Sequence, residues 1–145
     1  MIALLQRVTD AQVHIHGACV ARIGKGVLAL IGVRRADTAA DAQRLLERLL
    51  GYRVFADAAG RMNLSVREVH GGLLLVPQFT LAADTAQGMR AGFSTAAAPA
   101  HARALFTLLL EAAHAAYPSV SAGVFGADMQ VSLVNDGPVT FWLES

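Results

Sequence analysis

Leu73-Leu74-Leu75-Val76-Pro77-Gln78-Phe79-Thr80-Leu81 is the stretch from which the rest of the chain can be laid out. Four apolar residues follow Gly71-Gly72 and run into Pro77, after which come an amide, an aromatic ring and a hydroxyl. A short, unbroken apolar run of this kind predicts a strand buried on both faces. Because strand side chains alternate, Gln78 and Thr80 are expected on one side and Phe79 on the other. Two polar side chains at the end of a buried strand need partners, since an unsatisfied buried polar group costs about 1–3 kcal/mol. Either they bond to neighbouring backbone where the sheet stops, or they and their backbone N–H groups face a substrate.

Upstream, Ile2–Val8 predicts a first strand and residues 12–16, Gln-Val-His-Ile-His, alternate as a half-buried strand does. Gly17-Ala18 supplies a turn, Cys19–Ile23 a return strand, Gly24-Lys25-Gly26 a second turn and Val27–Val33 the next strand. Asp37 or Thr38 caps a helix that reaches about Leu50, with Ala42, Leu45, Leu46, Leu49 and Leu50 on its apolar face and Gly51 at its end. Tyr52–Phe55 is a short strand, Asp57–Gly60 a turn, and Arg61–Ser65 a polar segment suited to a surface or a site. Downstream, Ala82–Thr95 lacks periodicity, and irregular stretches of that length are often functional. Within it, Arg90 and Phe93 could meet a nucleotide through phosphate contact and ring stacking. Pro99 opens a second helix running to about Tyr117, with Ala102, Leu105, Phe106, Leu109 and Ala113 buried and His101 and His114 outside. The tail predicts three strands, Val120–Phe125, Met129–Asn135 and Val139–Leu143, the last two joined as a hairpin at Asp136-Gly137. Pro138 is unusual there, because it removes a backbone donor where pairing should begin.

The chain has 145 residues, which suits one domain spanning 1–145 with a sizeable core. Apolar residues make up 54% and charged ones 16%, a balance that argues against disorder. A net charge of +1 gives no polybasic signature of non-specific nucleic-acid coating, and no DNA partner is expected. The cations are nonetheless eleven Arg and one Lys, and arginine suits bidentate phosphate contact. Cys19 is the only cysteine, which excludes an intrachain disulfide and predicts a small buried side chain on a strand. Met1–Val8 is too short and carries Arg7, so it does not read as a signal peptide. No run approaches the ~20 apolar residues of a membrane span, so a cytoplasmic protein without membrane attachment is expected.

Recognisable catalytic signatures are missing. There is no Gly-x-Ser-x-Gly elbow, no zinc pattern and no dinucleotide fingerprint, and Gly24-Lys25-Gly26 lacks the spacing of a phosphate loop. His14 and His16 would share a strand face, but no further ligand is near in sequence, so no metal and no other cofactor is expected. An enzyme of this composition works by positioning, by backbone donors to an oxyanion, or with help from its substrate.

Gln78-Phe79-Thr80-Leu81 and Asn135-Asp136-Gly137-Pro138 together resemble the D-aminoacyl-tRNA deacylase family. The resemblance extends over Gln6-Arg7-Val8, Gly24-Lys25-Gly26, Met62-Asn63-Leu64-Ser65 and the long run from Phe125-Gly126-Ala127-Asp128-Met129-Gln130-Val131 through Thr140. It implies an α+β fold, a mixed and mainly antiparallel sheet curled into a barrel-like core with two outer helices. It also implies a homodimer that cleaves the ester between a D-amino acid, or wrongly charged glycine, and the terminal adenosine of tRNA. In such a family Gly137-Pro138 carries a cis peptide bond and reaches into the partner's pocket, where its carbonyls exclude an L side chain. Arg7 matches the residue that braces this loop across the dimer. The backbone N–H groups of Phe79 and Thr80 match the oxyanion donors. Thr80 is either nucleophile or positioning residue, and positioning is favoured because nothing supplies a base to activate its hydroxyl. Gln78 belongs to the same catalytic motif, while Met129 and Phe125 are candidates to contact the adenine.

Two departures from the family pattern stand out. Pro77 occupies a position where relatives usually have serine, and Ala91-Gly92 replaces a common Pro-Ser. Two other readings stand beside the first. One is a related deacylase that edits L-alanine mischarged on tRNA and carries a trans Gly-Pro bond. The other is a catalytically silent module that binds the tRNA end.

Overall fold

The computed structural model describes residues 1–145, and its spine is strand β1, Ile2–Ile15. Residues 2–8 and 12–16 read as two strands; in the fold they are one, and only His16 leaves it, turning at φ 50° before Gly17. His14 and His16 consequently do not share a strand face. One edge of β1 pairs antiparallel with β8, Gln130–Glu144, from Ile2↔Glu144 to His14↔Gln130. The opposite edge is divided: β3, Gly26–Gly32, takes Ile2–Val8, and β2, Ala18–Ile23, takes Ala11–Ile15.

Beyond β3 the sheet becomes parallel. β6, Gly72–Pro77, pairs with β3, and β7, Val120–Ala122, pairs with β6. Each parallel step needs a long crossover. The first carries helix α1, Ala39–Gly51, and the small hairpin β4, Phe55–Ala56, with β5, Met62–Leu64. The second carries helix α2, Pro99–Ala116. The Ser121 hydroxyl of β7 donates to the Arg22 carbonyl of β2 at 3.3 Å, so the sheet curls until its far strands meet. The result is a nearly closed, mixed barrel with two helices outside, as expected.

β6 explains its own apolar run. Leu73 and Leu75 join a 24-residue cluster with both helices, while Leu74 and Val76 pack into the eight-residue cluster of the barrel interior. Both faces are dry, so neither needs a polar residue. The strand ends at Pro77, earlier than the apolar pattern suggests, and Phe79–Ala82 forms a 3₁₀ turn. The proline costs the sheet nothing. Leu73 donates its N–H to Ser119 on the β7 side, and Gln78 donates to Ile31 on the β3 side. By alternation Pro77 faces the β7 side, where that strand has already stopped at Ala122.

Thr38 caps α1; its N–H and hydroxyl both donate to Asp41 Oδ2, at 2.9 and 2.7 Å. Pro99 sits in the first turn of α2, where a missing N–H is harmless. The predicted buried stripes of both helices are the buried residues.

Two expectations fail. Cys19 lies on β2 but is exposed, because only Ala21 and Ile23 of that short edge strand turn inward. The tail contains no hairpin at Asp136-Gly137. Gln130–Asn135 and Thr140–Glu144 belong to one strand, both paired with β1, and the residues between them form a bulge. Val8↔Asn135 follows Gln6↔Thr140, so five steps along β8 answer two along β1. An Asp-Gly pair favours reversal, but here the long partner strand holds both flanks and only a local outward loop remains.

Candidate active site

The polar end of β6 opens onto a cavity of about 470 Å³. Its walls include Pro77, Gln78, Phe79, Phe125, Asp128 and Met129. The end of β6 and the turn that follows it deliver the first three, and the loop between β7 and β8 delivers the others. Phe125 is wedged between Phe106, with ring centroids 6.2 Å apart, and the Arg103 guanidinium, 4.8 Å above its ring. Arg103 had no signature in the sequence; its place one turn inside α2 brings it there.

The strand ends in a turn rather than continuing, so strict alternation does not govern Gln78, Phe79 and Thr80. Gln78 and Thr80 nevertheless meet: Gln78 Nε2 donates to Thr80 Oγ1 at 2.6 Å. The turn is closed by Leu81 N–H to Gln78 carbonyl and Ala83 N–H to Thr80 carbonyl. The N–H groups of Phe79 and Thr80, first in the turn, find no acceptor within the chain. Two adjacent free donors suit the charge of a tetrahedral oxyanion; Phe79 lines the apolar cavity, whereas Thr80 lines a different one together with Arg34 and Trp142. Phe79 is 59% exposed, and its ring rests against Phe93.

Gly32 makes this placement possible. A Cβ there would come within 2.9 Å of the Leu81 Cβ, so the turn packs directly on the end of β3.

The second motif lies elsewhere in the chain. The Gly137–Pro138 peptide bond is cis, and Gly137 has φ 136°. Asn135 spans the mouth of the bulge, its Oδ1 accepting the Val139 N–H at 2.7 Å and its Nδ2 donating to Thr140 Oγ1 at 2.7 Å. Arg7 Nε donates to the Asp136 carbonyl at 2.9 Å, with the Asp136 carboxylate 3.4 Å away. Arg7 Nη1 donates to the Val54 carbonyl at 2.6 Å. Arg7 thus braces the loop within its own chain. Arg7, Gly137 and Pro138 line none of the cavities that Gln78, Phe79 and Thr80 line.

Arg90 and Phe93 part company. Asp84 and Gly92 exchange backbone hydrogen bonds, both 2.8 Å, and pinch residues 84–92 into a loop. Phe93 stands at its foot, and Arg90 is exposed beyond it. No three His, Cys, Asp or Glu side chains gather anywhere in the molecule, and no helix is long and apolar enough to cross a membrane.

The site is thus an apolar cavity with few ionisable groups, bordered by free backbone donors, on a curled mixed sheet with two outer helices. The family model described as D-Tyr-tRNA(Tyr) deacylase matches residues 4–144. The chain belongs to this family. A D-aminoacyl-tRNA deacylase of Thioalkalivibrio sulfidiphilus is 65% identical over 144 residues, covering 99% of this chain and 97% of the relative. Another, from Pseudomonas syringae pv. tomato, is 60% identical over 145 residues, all of both chains. Among solved structures, that titled c-Myc DNA Unwinding Element Binding Protein superimposes with a TM-score of 0.96 at 36% identity, covering 100% of this chain and 99% of its own. A probable eukaryotic D-amino acid tRNA deacylase shares the fold, with a TM-score of 0.87 at 17% identity, covering 99% of this chain and 98% of its own.

Proposed function

We propose that this chain, acting as a single 145-residue domain in a cytoplasmic homodimer, hydrolyses the ester joining a D-amino acid, or glycine, to the terminal adenosine of tRNA. The observation that carries this reading is a division of labour. The free N–H groups of Phe79 and Thr80 follow the end of β6, where Phe79 lines the first cavity, while the braced Gly137–Pro138 loop lines no part of that cavity in the same chain. A second copy supplies what one copy lacks: its loop enters the cavity and presents main-chain carbonyls to the α-carbon, leaving no space for an L side chain.

Chemistry at such a site proceeds without a strong protein base. Water adds to the ester carbonyl, and the oxygen that gains charge is held by the N–H groups of Phe79 and Thr80. The bond to the ribose oxygen then breaks, giving the amino acid carboxylate and a free tRNA hydroxyl. The vicinal ribose hydroxyl assists the attacking water. Thr80 accepts from Gln78 and holds the turn, and Phe125 and Met129 receive the adenine.

The deciding experiment compares hydrolysis of D-Tyr-tRNA and L-Tyr-tRNA without added metal. Loss of the D ester with the L ester intact is the expected result. Charged tRNA bound but neither ester cleaved would leave a silent tRNA-end binding module. Cleavage of L-Ala-tRNA in preference to D-Tyr-tRNA would identify the L-alanine editing relative instead.

A further inference from the structure

A second cavity, of about 590 Å³, adjoins the first across Phe79 and Pro99, which line both. Its other walls include Arg35, Phe93 and His101. Phe79 and Phe93 form a tilted pair with centroids 5.3 Å apart, and Phe93 is 46% exposed. Two exposed rings side by side are costly on a surface that nothing covers, and flat π-faces suit a stacked base. Arg35 is exposed, and its guanidinium makes no ion pair or side-chain hydrogen bond. Its backbone is fixed, however, since its N–H donates to Thr95 and the neighbouring Arg34 bridges Ala96. No Asp or Glu lines this cavity. The nearest acidic residue along the chain, Asp37, turns its carbonyl towards His101 Nε2 at 2.9 Å, and its Oδ2 accepts the Arg34 N–H at 2.6 Å.

We propose that this cavity holds the nucleotide 5′ to the terminal adenosine, its base stacked on Phe93 and the intervening phosphate paired with Arg35. The proposal rests on the functional reading above, which puts the adenosine in the first cavity. The two cavities then accept consecutive units of a single-stranded end, one per side of Phe79. An aromatic platform next to an uncompensated arginine is the usual chemistry for single-stranded nucleic acid. Arg35 carries no sequence signature of its own; it is brought to Phe93 by the Arg34–Ala96 bridge.

The test uses two D-tyrosyl esters, one on adenosine and one on the dinucleotide cytidylyl-adenosine. The wild-type protein is expected to cleave the dinucleotide ester with a kcat/KM about tenfold above that of the adenosine ester. Arg35→Ala and Phe93→Ala should each remove most of that ratio, and Phe93→Tyr should retain it. Arg35→Ala should also flatten the dependence of log kcat/KM on log salt by about 0.7 for the dinucleotide ester. Equal rates for the two esters, or variants that slow both by one factor, overturn the subsite. Calorimetric binding of unesterified cytidylyl-adenosine and of adenosine separates this from failure of the parent reading. Tighter, Arg35-dependent binding of the dinucleotide with no hydrolysis of either ester upholds the subsite and removes the hydrolase. Equal binding removes the subsite whatever the hydrolysis shows.

Discussion

At the scale of single residues, the site depends on one missing methyl group. Gly32 lets the Phe79–Ala82 turn sit against β3, and a Cβ would collide with Leu81 at 2.9 Å. Gly32→Ala should displace the turn by a few tenths of an ångström or more. Turnover is expected to fall about tenfold or more, because small misplacements of catalytic donors are expensive. Stability should fall by about 1–3 kcal/mol from overpacking. Unchanged single-turnover rates would show that the turn tolerates the shift. Thr80 gives a different test. Its hydroxyl receives the Gln78 amide, so Thr80→Ala should cost about fivefold in kcat, the worth of one hydrogen bond. A loss of several orders of magnitude in a folded variant would make the hydroxyl the nucleophile.

At the scale of elements, the bulge on β8 is held from outside itself. Arg7 belongs to β1 and donates both to Asp136 and to Val54, tying the loop to the segment before β4. Arg7→Ala should lower the rate on D-Tyr-tRNA and narrow the ratio of D to L hydrolysis, with a stability loss of about 1–3 kcal/mol. Selectivity identical to wild type would detach Arg7 from the screen. Tyr117, closing α2, donates its buried hydroxyl to the Gly71 carbonyl at 2.5 Å, with the Val66 carbonyl at 3.1 Å. Tyr117→Phe should therefore cost about 1–2 kcal/mol in urea unfolding without altering specificity.

These same elements mark what a sequence conveys. The helices were legible from the spacing of Ala42, Leu45, Leu46, Leu49 and Leu50 and of Ala102, Leu105, Phe106, Leu109 and Ala113, because local periodicity reports a local structure. The double burial of Leu73–Val76 was legible for the same reason. The β8 bulge was not, since Asp136-Gly137 speaks for a turn and only the distant pairing with β1 overrides it. The motif residues are marked by family resemblance, and the turn through which Gln78 and Thr80 meet has no local signal in an apolar run that reads as strand. Arg35 and Arg103 were invisible, because an arginine on a surface has no local mark of what it faces.

Taken whole, the molecule holds four carboxylates below their ordinary range, mostly through donors in their own turns and in one case through an arginine 110 residues away. The Arg34 guanidinium, with the Trp142 indole, holds the Glu144 carboxyl down at about 2. The Thr38 hydroxyl and N–H hold Asp41 at about 2 as well. Asp57 and Glu68 are lowered by the Arg61 and Ser65 N–H groups. A depressed carboxyl pKa adds stability above its ordinary value and loses it as pH falls towards the native value. The melting temperature should hold above about pH 5 and decline from about pH 4.5 towards 2. The pair D41N and E144Q should flatten that decline; an unaltered slope would assign acid lability to other groups.

The pairing of β1 with β8 has a consequence in time. β1 is made first on the ribosome, and the strand that completes its outer edge follows more than a hundred residues later. At about 5–20 residues per second, the wait lasts roughly 6–30 s. Throughout it, a fourteen-residue strand rich in Leu, Ile and Val stands with one edge unpaired, a template for the wrong partner. A nascent chain stalled before residue 130 therefore keeps the outer edge of β1 open even where β2, β3, β6 and β7 are already made.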